Sequence, residues 1–222
     1  MTQHDIPRLE PIGEFFNNRV DGYEEHQLTA IEGAREFYPF TASLLPTAPG
    51  CRVLDLGCGT GLELDFYFEH NPAARVTGID LADDMLDALR KKHGARDLTL
   101  IHGSYFEEDL GTAVYDAAVS VESLHHFTKE QKIPLYRKQK AALKPGRIFV
   151  LTDYLAPNDA WEARCFAELA RQKAALGITD DRFYHFDTPL TAAHETDALR
   201  AGGFTEIEII RQWENTYTIV AK

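Results

Sequence analysis

Two aspartates and a glycine-rich turn are the residues of this sequence with the clearest chemical meaning. Asp55 ends an apolar run, the turn from Gly57 to Gly61 follows it, and Asp80 ends the next apolar run, 19 residues beyond Gly61. Glycines let a ligand approach the backbone, and the N–H groups at a helix start bind polar groups of nucleotides. A carboxylate about 20 residues further on accepts hydrogen bonds from ribose hydroxyls. The spacing predicts a nucleotide-binding site.

The elements that must position these residues alternate between strands and helices. Residues 53–56 form a short apolar run, and a helix is predicted for residues 62–70 directly after the turn. Two runs of period two near the end of the chain, 206–209 and 216–220, predict an antiparallel hairpin. Further strands are predicted at residues 75–80, 97–102, 115–121 and 147–154. This order is typical of a doubly wound α/β sheet.

The segment Val53-Leu54-Asp55-Leu56-Gly57-Cys58-Gly59-Thr60-Gly61 resembles the cofactor-binding motif of class I S-adenosylmethionine-dependent methyltransferases. Tyr115-Asp116 at the start of a strand, Leu124 to Phe127 after it, and Leu143 to Gly146 before the next strand are also similar to the family. The resemblance implies a three-layer Rossmann-like sheet of about seven strands, mostly parallel with a C-terminal antiparallel hairpin, plus an N-terminal helical segment. It covers residues 52–153 by motif.

The resemblance also implies which residues bind S-adenosylmethionine and its product S-adenosylhomocysteine. For Asp80 the alternative is a helix N-cap, but Asp83 can cap equally well, which favours the ribose role. Ser104 stands where relatives often carry an acid that contacts adenine, and Tyr105 or Phe106 offers a stacking surface instead. The predicted cofactor residues are Tyr23, Asp55, Gly57, Cys58, Gly59, Gly61, Asp80, Leu81, Met85, Ser104, Tyr105 and Val121.

One domain of four parts is predicted. Residues 1–50 form an N-terminal helical lid that is irregular around Pro7, Pro11 and Gly13, and in which Tyr23 either packs or closes over the cofactor. Residues 51–154 are the cofactor-binding core, 155–190 a substrate-cap insertion with an amphipathic helix, and 191–222 the final helix and hairpin. The basic residues of the helix from Thr128 to Leu143, including Lys132, are expected to face solvent.

Four residues are candidates for catalysis. Methyl transfer positions a nucleophile in line and needs a base only where the acceptor loses a proton. Imidazole titrates near neutrality, so His125 and His126 are the first candidates, and Tyr184 and His185 in the insertion are the second. Neighbouring side chains point in different directions and no H-E-x-x-H motif accompanies them, so no metal is expected.

Composition limits the partners and the compartment. The chain has 222 residues and a formal net charge of −12, which disfavours nucleic acid as a partner. Three cysteines, no apolar run long enough for a bilayer and no signal-peptide pattern predict a cytoplasmic protein with no membrane association. The expected reaction is methyl transfer to a small molecule. A non-catalytic S-adenosylmethionine-binding module stays an alternative. An NAD-dependent oxidoreductase is a weaker alternative, because the glycine turn of this chain does not have the G-x-G-x-x-G spacing of that class. Both a monomer and a homodimer are consistent with the sequence.

Overall fold

A computed structural model describes residues 9–222, so Pro7 and the beginning of the predicted lid lie outside the described residues. The helices are α1 (Ile12–Asn17), α2 (Tyr23–Ala30), α3 (Ala34–Ser43), α4 (Leu62–His70), α5 (Asp83–His93), α6 (Lys129–Ala142), α7 (Asp159–Leu176) and α8 (Ala192–Ala201). The strands are β1 (Arg52–Leu56), β2 (Arg75–Asp80), β3 (Asp97–His102), β4 (Tyr115–Val121), β5 (Leu143–Tyr154), β6 (Ile207–Trp213) and β7 (Thr216–Ala221).

The strands form one sheet in the order β3-β2-β1-β4-β5-β7-β6. Strands β1 to β5 pair in parallel, and β7 is antiparallel to both β5 and β6. The predicted fold class, including the C-terminal hairpin, is therefore confirmed. The strand order reverses between β1 and β4, and in open α/β sheets ligands bind at the carboxyl ends of the strands at such a switch point.

Alternation along β1 directs side chains into two cores, one on each face of the sheet. Leu54 and Leu56 pack in a cluster that contains Phe149 and Phe204, on the face covered by α6 and α8. Val53 packs on the other face with Phe37, Tyr67 and their neighbours from α3 and α4. The sheet is therefore the middle of three layers, and Asp55, which alternates with Leu54 and Leu56, points to the face of α4.

Several local predictions were wrong. Gly13 lies inside α1 instead of an irregular segment, and Pro11 is the residue before that helix. Strand β5 begins at Leu143 rather than Arg147, because Leu143 already pairs with Tyr115 and the left-handed φ of Gly146 is absorbed within the strand. Asp83 does not cap α5, since Ala82 occupies the N-cap position and Asp83 accepts a hydrogen bond from Asn17.

Two helices also differ from their predicted surroundings. None of the residues of α7 is fully buried, and Trp161 is 38% exposed, so the predicted amphipathic face is only partly covered. Lys132 on α6 is fully buried instead of solvated, because Glu195 of α8 faces it inside the protein. Over residues 9–222, no helix has the length and apolar content needed to cross a bilayer.

Candidate functional site

A first cavity lies where the carboxyl ends of β1, β2 and β4 meet the N-terminal helices. Ile12 and Phe16 of α1 form part of its wall. It encloses about 50 Å³, less than the roughly 300 Å³ at the lower end of small-molecule pockets. Eight of the predicted cofactor residues line it, namely Tyr23, Gly57, Gly59, Asp80, Leu81, Met85, Tyr105 and Val121.

Asp80 is held at the end of β2 by the glycine turn. Its Oδ2 accepts a hydrogen bond from the backbone N–H of Gly59 at 2.8 Å, and its Oδ1 accepts from that of Ala82 at 2.9 Å. Each oxygen keeps further acceptor capacity on the cavity side. Burial raises the pKa of this carboxyl. The fixed orientation suits a carboxylate that receives two hydroxyl groups.

The turn itself leaves no room for a side chain at Gly57. This residue has a φ of 75°, and a Cβ there would lie 2.0 Å from Oγ of Ser123. Only glycine fits this position without strain. The bare backbone of the turn therefore faces the cavity directly.

Four predicted cofactor residues lie behind the cavity wall rather than in it. Asp55 is 1% exposed, and the sulfur of Cys58 packs beside Gly78. Gly61 precedes α4 and lies against Leu89, and Oγ of Ser104 accepts a hydrogen bond from Phe106 N–H. Their contribution to cofactor binding stays a prediction.

A second cavity of about 750 Å³ adjoins the first. The two share Phe16, Tyr23, Glu122 and His126 as wall residues. Sequence reasoning missed Phe16 and Glu122, although Glu122 directly follows β4, where the carboxyl end of a strand is itself a signal. The structure therefore provides adjoining spaces for two ligands.

The second cavity contains a histidine that is oriented by a buried acid. Nδ1 of His125 lies 2.6 Å from Oδ1 of Asp153, which is fully buried, and the backbone N–H of Leu124 donates to Oδ2 of the same carboxylate. Because Asp153 accepts at Nδ1, the proton of a neutral His125 resides on that nitrogen. Nε2 then faces the cavity, 3.5 Å from Oδ1 of Asp187.

The neighbouring charges set the protonation of this cluster. Burial alone disfavours a charged His125, but Asp153, Asp187 and Glu122 outweigh it and raise its pKa to about 9. Burial, assisted by Asp153, raises the pKa of Glu122 to about 8. Burial and the charge of His125 hold the pKa of His126 well below its usual range. His126 is therefore neutral and donates from Nδ1 to the carbonyl of Phe186, 3.2 Å away.

The structure places only one of the second pair of predicted catalytic residues, Tyr184 and His185, in the second cavity. His185 lines the second cavity and stacks on Phe15 with a ring-centroid distance of 3.4 Å, and burial lowers its pKa to about 4. Tyr184 lies outside both cavities, and its hydroxyl donates to Asp180. The structure thus brings His185, and not Tyr184, to His125 and His126.

The adjacent histidines do not diverge as expected, because both approach Asp187. Nε2 of His125 and Nδ1 of His126 each lie 3.5 Å from its Oδ1. Potential metal-ligand atoms lie within 4.8 Å of one another in two groups of three residues. One group is His125, His126 and Asp187, and the other is Glu122, His125 and Asp153. In the first group, Nδ1 of His126 already donates to the carbonyl of Phe186. In the second group, Nδ1 of His125 is already hydrogen-bonded to Asp153. The ring nitrogens that face Asp153 and Phe186 are thus held in hydrogen bonds within the protein.

Known proteins similar to this chain include several methyltransferases. A profile of the methyltransferase domain family matches residues 53–146. The chain is 28% identical over 155 residues to a fatty-acid O-methyltransferase of Mycolicibacterium smegmatis, covering 68% of this chain and 53% of that protein. It is 24% identical over 185 residues to a carboxy-S-adenosyl-L-methionine synthase of Campylobacter lari, covering 77% and 76%.

A solved structure is similar in fold over nearly the whole chain. It is a putative O-methyltransferase of Nostoc punctiforme, with a TM-score of 0.68 and 23% identity, covering 97% of this chain and 62% of that one. The chain spans about half the length of the fatty-acid O-methyltransferase and three quarters of the synthase.

Proposed function

We propose that this chain, which belongs to the class I S-adenosylmethionine-dependent methyltransferases, transfers the methyl group of S-adenosylmethionine to a small-molecule acceptor. The observation that carries the proposal is the pair of adjoining cavities, one at the glycine turn and Asp80, the other around His125. An acceptor in the second cavity would lie next to a cofactor in the first, because the two cavities share Glu122 and His126 as wall residues. An S-adenosylmethionine-binding module without catalysis would not need the second cavity.

The residues of the first cavity fit the cofactor in chemistry. Bound there, S-adenosylmethionine supplies an electrophilic methyl group on a sulfonium. Asp80 would accept the ribose hydroxyls, the backbone at Gly57 and Gly59 would lie against polar groups of the cofactor, and Tyr105 offers an aromatic face. Phe16 and Tyr23 would cover the ligand and exclude water, which supports the lid role of the N-terminal helices.

His125 would act as the base in the second cavity. Its Nε2 faces the space for the acceptor, and Asp153 fixes the ring and stabilises the imidazolium that forms when the acceptor proton is taken up. His126 would remain neutral beside it and hold the loop through Phe186. The residues 155–190 contribute His185 and Asp187 to this cavity, which supports their predicted role as a substrate cap.

The partner and the compartment follow from charge and cysteines. The net charge of −12 argues for a small molecule rather than nucleic acid as the acceptor. Cys51, Cys58 and Cys165 are all free thiols in the described structure. We infer a reducing compartment, the cytoplasm, because free thiols persist there.

Thermal unfolding with S-adenosylhomocysteine tests the proposal, with NAD in a parallel sample. A ligand at about a hundred times its dissociation constant stabilises the folded state by about 2.7 kcal/mol. Stabilisation by S-adenosylhomocysteine and not by NAD is expected. Stabilisation by NAD alone would show that the cavity belongs to an oxidoreductase.

Replacing Asp80 with asparagine is expected to weaken binding of S-adenosylhomocysteine by about 10- to 100-fold. Each hydrogen bond to a charged acceptor is worth about 1.5–3 kcal/mol, and the amide group keeps the shape but loses the charge and one acceptor. Isothermal titration calorimetry measures the change. Asp84→Asn is the matched control, since Asp84 is exposed on the first turn of α5 and should retain wild-type affinity. Equal affinities of the two variants would remove Asp80 from the site.

A further inference from the structure

Acidic side chains are prominent on the wall of the second cavity. Three of its lining residues are acids, namely Asp21, Glu122 and Asp187. Asp153, fully buried behind the wall, adds a fourth carboxyl within hydrogen-bond distance of His125. Among the described residues that line the cavity, Arg19 is the one arginine or lysine. The sign of the charge that a ligand meets there depends on whether Arg19 and the histidines offset the acids.

The charge of Arg19 is already matched by Glu10. Its Nη2 donates to Oε1 of Glu10 at 2.9 Å, and its Nη1 donates to Oε2 at 3.3 Å. The guanidinium group also lies 3.7 Å from the ring centroid of Phe15, over the face of that ring. His26, which lines the cavity as well, is exposed on α2 and screened by solvent. Neither Arg19 nor His26 therefore neutralises the acids around His125.

Two of the remaining histidines of the cavity are neutral. Burial holds the pKa of His126 well below its usual range and lowers the pKa of His185 to about 4. Burial also disfavours a charged His125, but the neighbouring carboxylates raise its pKa to about 9. This one imidazolium stands between two carboxylates, with Nδ1 2.6 Å from Asp153 and Nε2 3.5 Å from Asp187. One negative charge therefore stays unbalanced beside His125.

Glu122 presents a further carboxyl group where the two cavities adjoin. Its side chain is 10% exposed and belongs to the walls of both cavities. Oε1 accepts a hydrogen bond from Thr216 at 3.2 Å, whereas Oε2 lies 4.0 Å from Nδ1 of His125, beyond hydrogen-bond distance. The backbone of Glu122 has a φ of 48°, a left-handed conformation that is uncommon for glutamate and concentrated at functional sites. Burial raises the pKa of this carboxyl to about 8, and a positive ligand beside it would favour the ionised form.

The rest of the wall also suits a ligand that is positive and donates hydrogen bonds. Oε1 of Gln27, a lining residue, is buried and receives no hydrogen bond from the described residues. Phe16 and Tyr23 belong to both walls, with ring planes at 86° and centroids 6.0 Å apart, and Tyr154 lines the second cavity. Aromatic faces attract ammonium groups, including methylated ones. Acids, an unpaired carbonyl oxygen and aromatic rings together favour an amine.

We propose that the methyl acceptor is a small cationic amine, and that Glu122 and Asp187 bind its ammonium group beside His125. The inference rests on the proposed function, because it requires that S-adenosylmethionine occupies the first cavity. Neutral His125 takes one proton from the ammonium group, and the nitrogen lone pair then forms the N–C bond while the S–C bond breaks and its electron pair stays on sulfur. The products are S-adenosylhomocysteine, a methylammonium and one proton, which passes from His125 to the buffer.

Calorimetric titration of the whole protein, saturated with S-adenosylhomocysteine, tests the inference with ligands that match in shape and differ in charge. One series is phenethylamine, 2-phenylethanol and phenylacetate, and the other is octylamine, 1-octanol and octanoate. At about pH 8 both amines are cations, because alkylamines resemble lysine in pKa. Each amine is expected to bind at least about tenfold more tightly than its alcohol, since hydrogen bonds to charged groups are the strong ones. The carboxylates should bind most weakly.

Asp187→Asn and Glu122→Gln should each weaken binding of the amines about tenfold and leave binding of the alcohols unchanged. A variant that only distorted the cavity would weaken all members of a series alike. Asp181→Asn is the matched control, because Asp181 is exposed in the same loop as Asp187 but does not line the second cavity. It should bind every ligand as the wild type does.

The outcomes separate this inference from the proposed function. Absence of any S-adenosylhomocysteine binding would overturn the proposed function and the inference with it. Bound S-adenosylhomocysteine without binding of either amine up to about 10 mM, a very weak affinity, would overturn the inference alone. Tighter binding of the alcohols or the carboxylates would do the same and indicate an oxygen acceptor. The wild-type comparison is decisive even if a variant fails to fold.

Discussion

Replacing His125 with glutamine is expected to lower the rate of methyl transfer by about 10²- to 10⁴-fold, the range that a positioned general base contributes. Glutamine retains a polar side chain of similar reach, but it cannot take up a proton from the acceptor. The rate is measured with labelled S-adenosylmethionine and an acceptor that a compound screen has shown to be methylated. His70→Gln is the control, since His70 is exposed at the end of α4 and should leave the rate unchanged.

The same assignment fixes the direction of the pH dependence. Only neutral imidazole accepts a proton, and the pKa of His125 is raised to about 9 by Asp153, Asp187 and Glu122 against the effect of burial. The rate should therefore increase as pH rises from 7 to about 9. If His126 were the base, the rate would already be level above pH 6.5, because the pKa of His126 is lowered.

Asp153→Asn separates a positioning role from a merely structural one. The substitution removes the adjacent negative charge that raises the pKa of His125, so both the inflection of the rate profile and the ¹⁵N titration of the ring should move to lower pH. The maximal rate should also fall, because the ring loses a charged acceptor at Nδ1. An unchanged inflection would show that Asp153 does not act on the proton affinity of His125.

The glycine-turn side of the first cavity could be predicted because its parts are close in sequence. The residues from Val53 to His70 specify a strand, a turn and a helix through local properties: an apolar run, glycines with left-handed φ angles and a helix-forming segment. The parallel pairing of β1 with β2 then brings Asp80 to the turn. Short-range patterns of this kind survive folding because the local preference and the tertiary structure agree.

The residues of the second cavity could not be predicted from any local sequence pattern. Asp153 ends β5, Glu122 and His125 follow β4, and Asp187 lies in the loop after α7, so the cluster depends on the pairing of β4 with β5 and on the path of a loop. Hydrogen bonds such as Thr188 N–H to the carbonyl of His125 fix that path. Sequence reasoning therefore found the histidines but not the acids that set their pKa values.

The burial of Lys132 also could not be predicted from local sequence, because its partner Glu195 lies on another helix. Breaking this ion pair has the largest expected effect on stability. Its Nζ lies 2.5 Å from Oε2 of Glu195, both side chains are fully buried, and the hydroxyl of Tyr136 donates to the same carboxylate. Glu195→Ala leaves the ammonium group buried without a partner. We expect the free energy of unfolding to fall by about 3–5 kcal/mol, a large share of the 5–15 kcal/mol typical of a domain. Urea denaturation measures it.

A second ion pair between the same two helices provides the control. Lys129 and Asp197 also connect α6 with α8, at 3.6 Å, but Lys129 is partly exposed and Asp197 is exposed, so Lys129→Ala should cost less than about 1 kcal/mol. The double variant Lys132→Met/Glu195→Leu removes both buried charges and should recover most of the stability that Glu195→Ala loses. A cost for Glu195→Ala no greater than that for Lys129→Ala would mean that water reaches the pair, and the buried charges would then not hold α8 against α6.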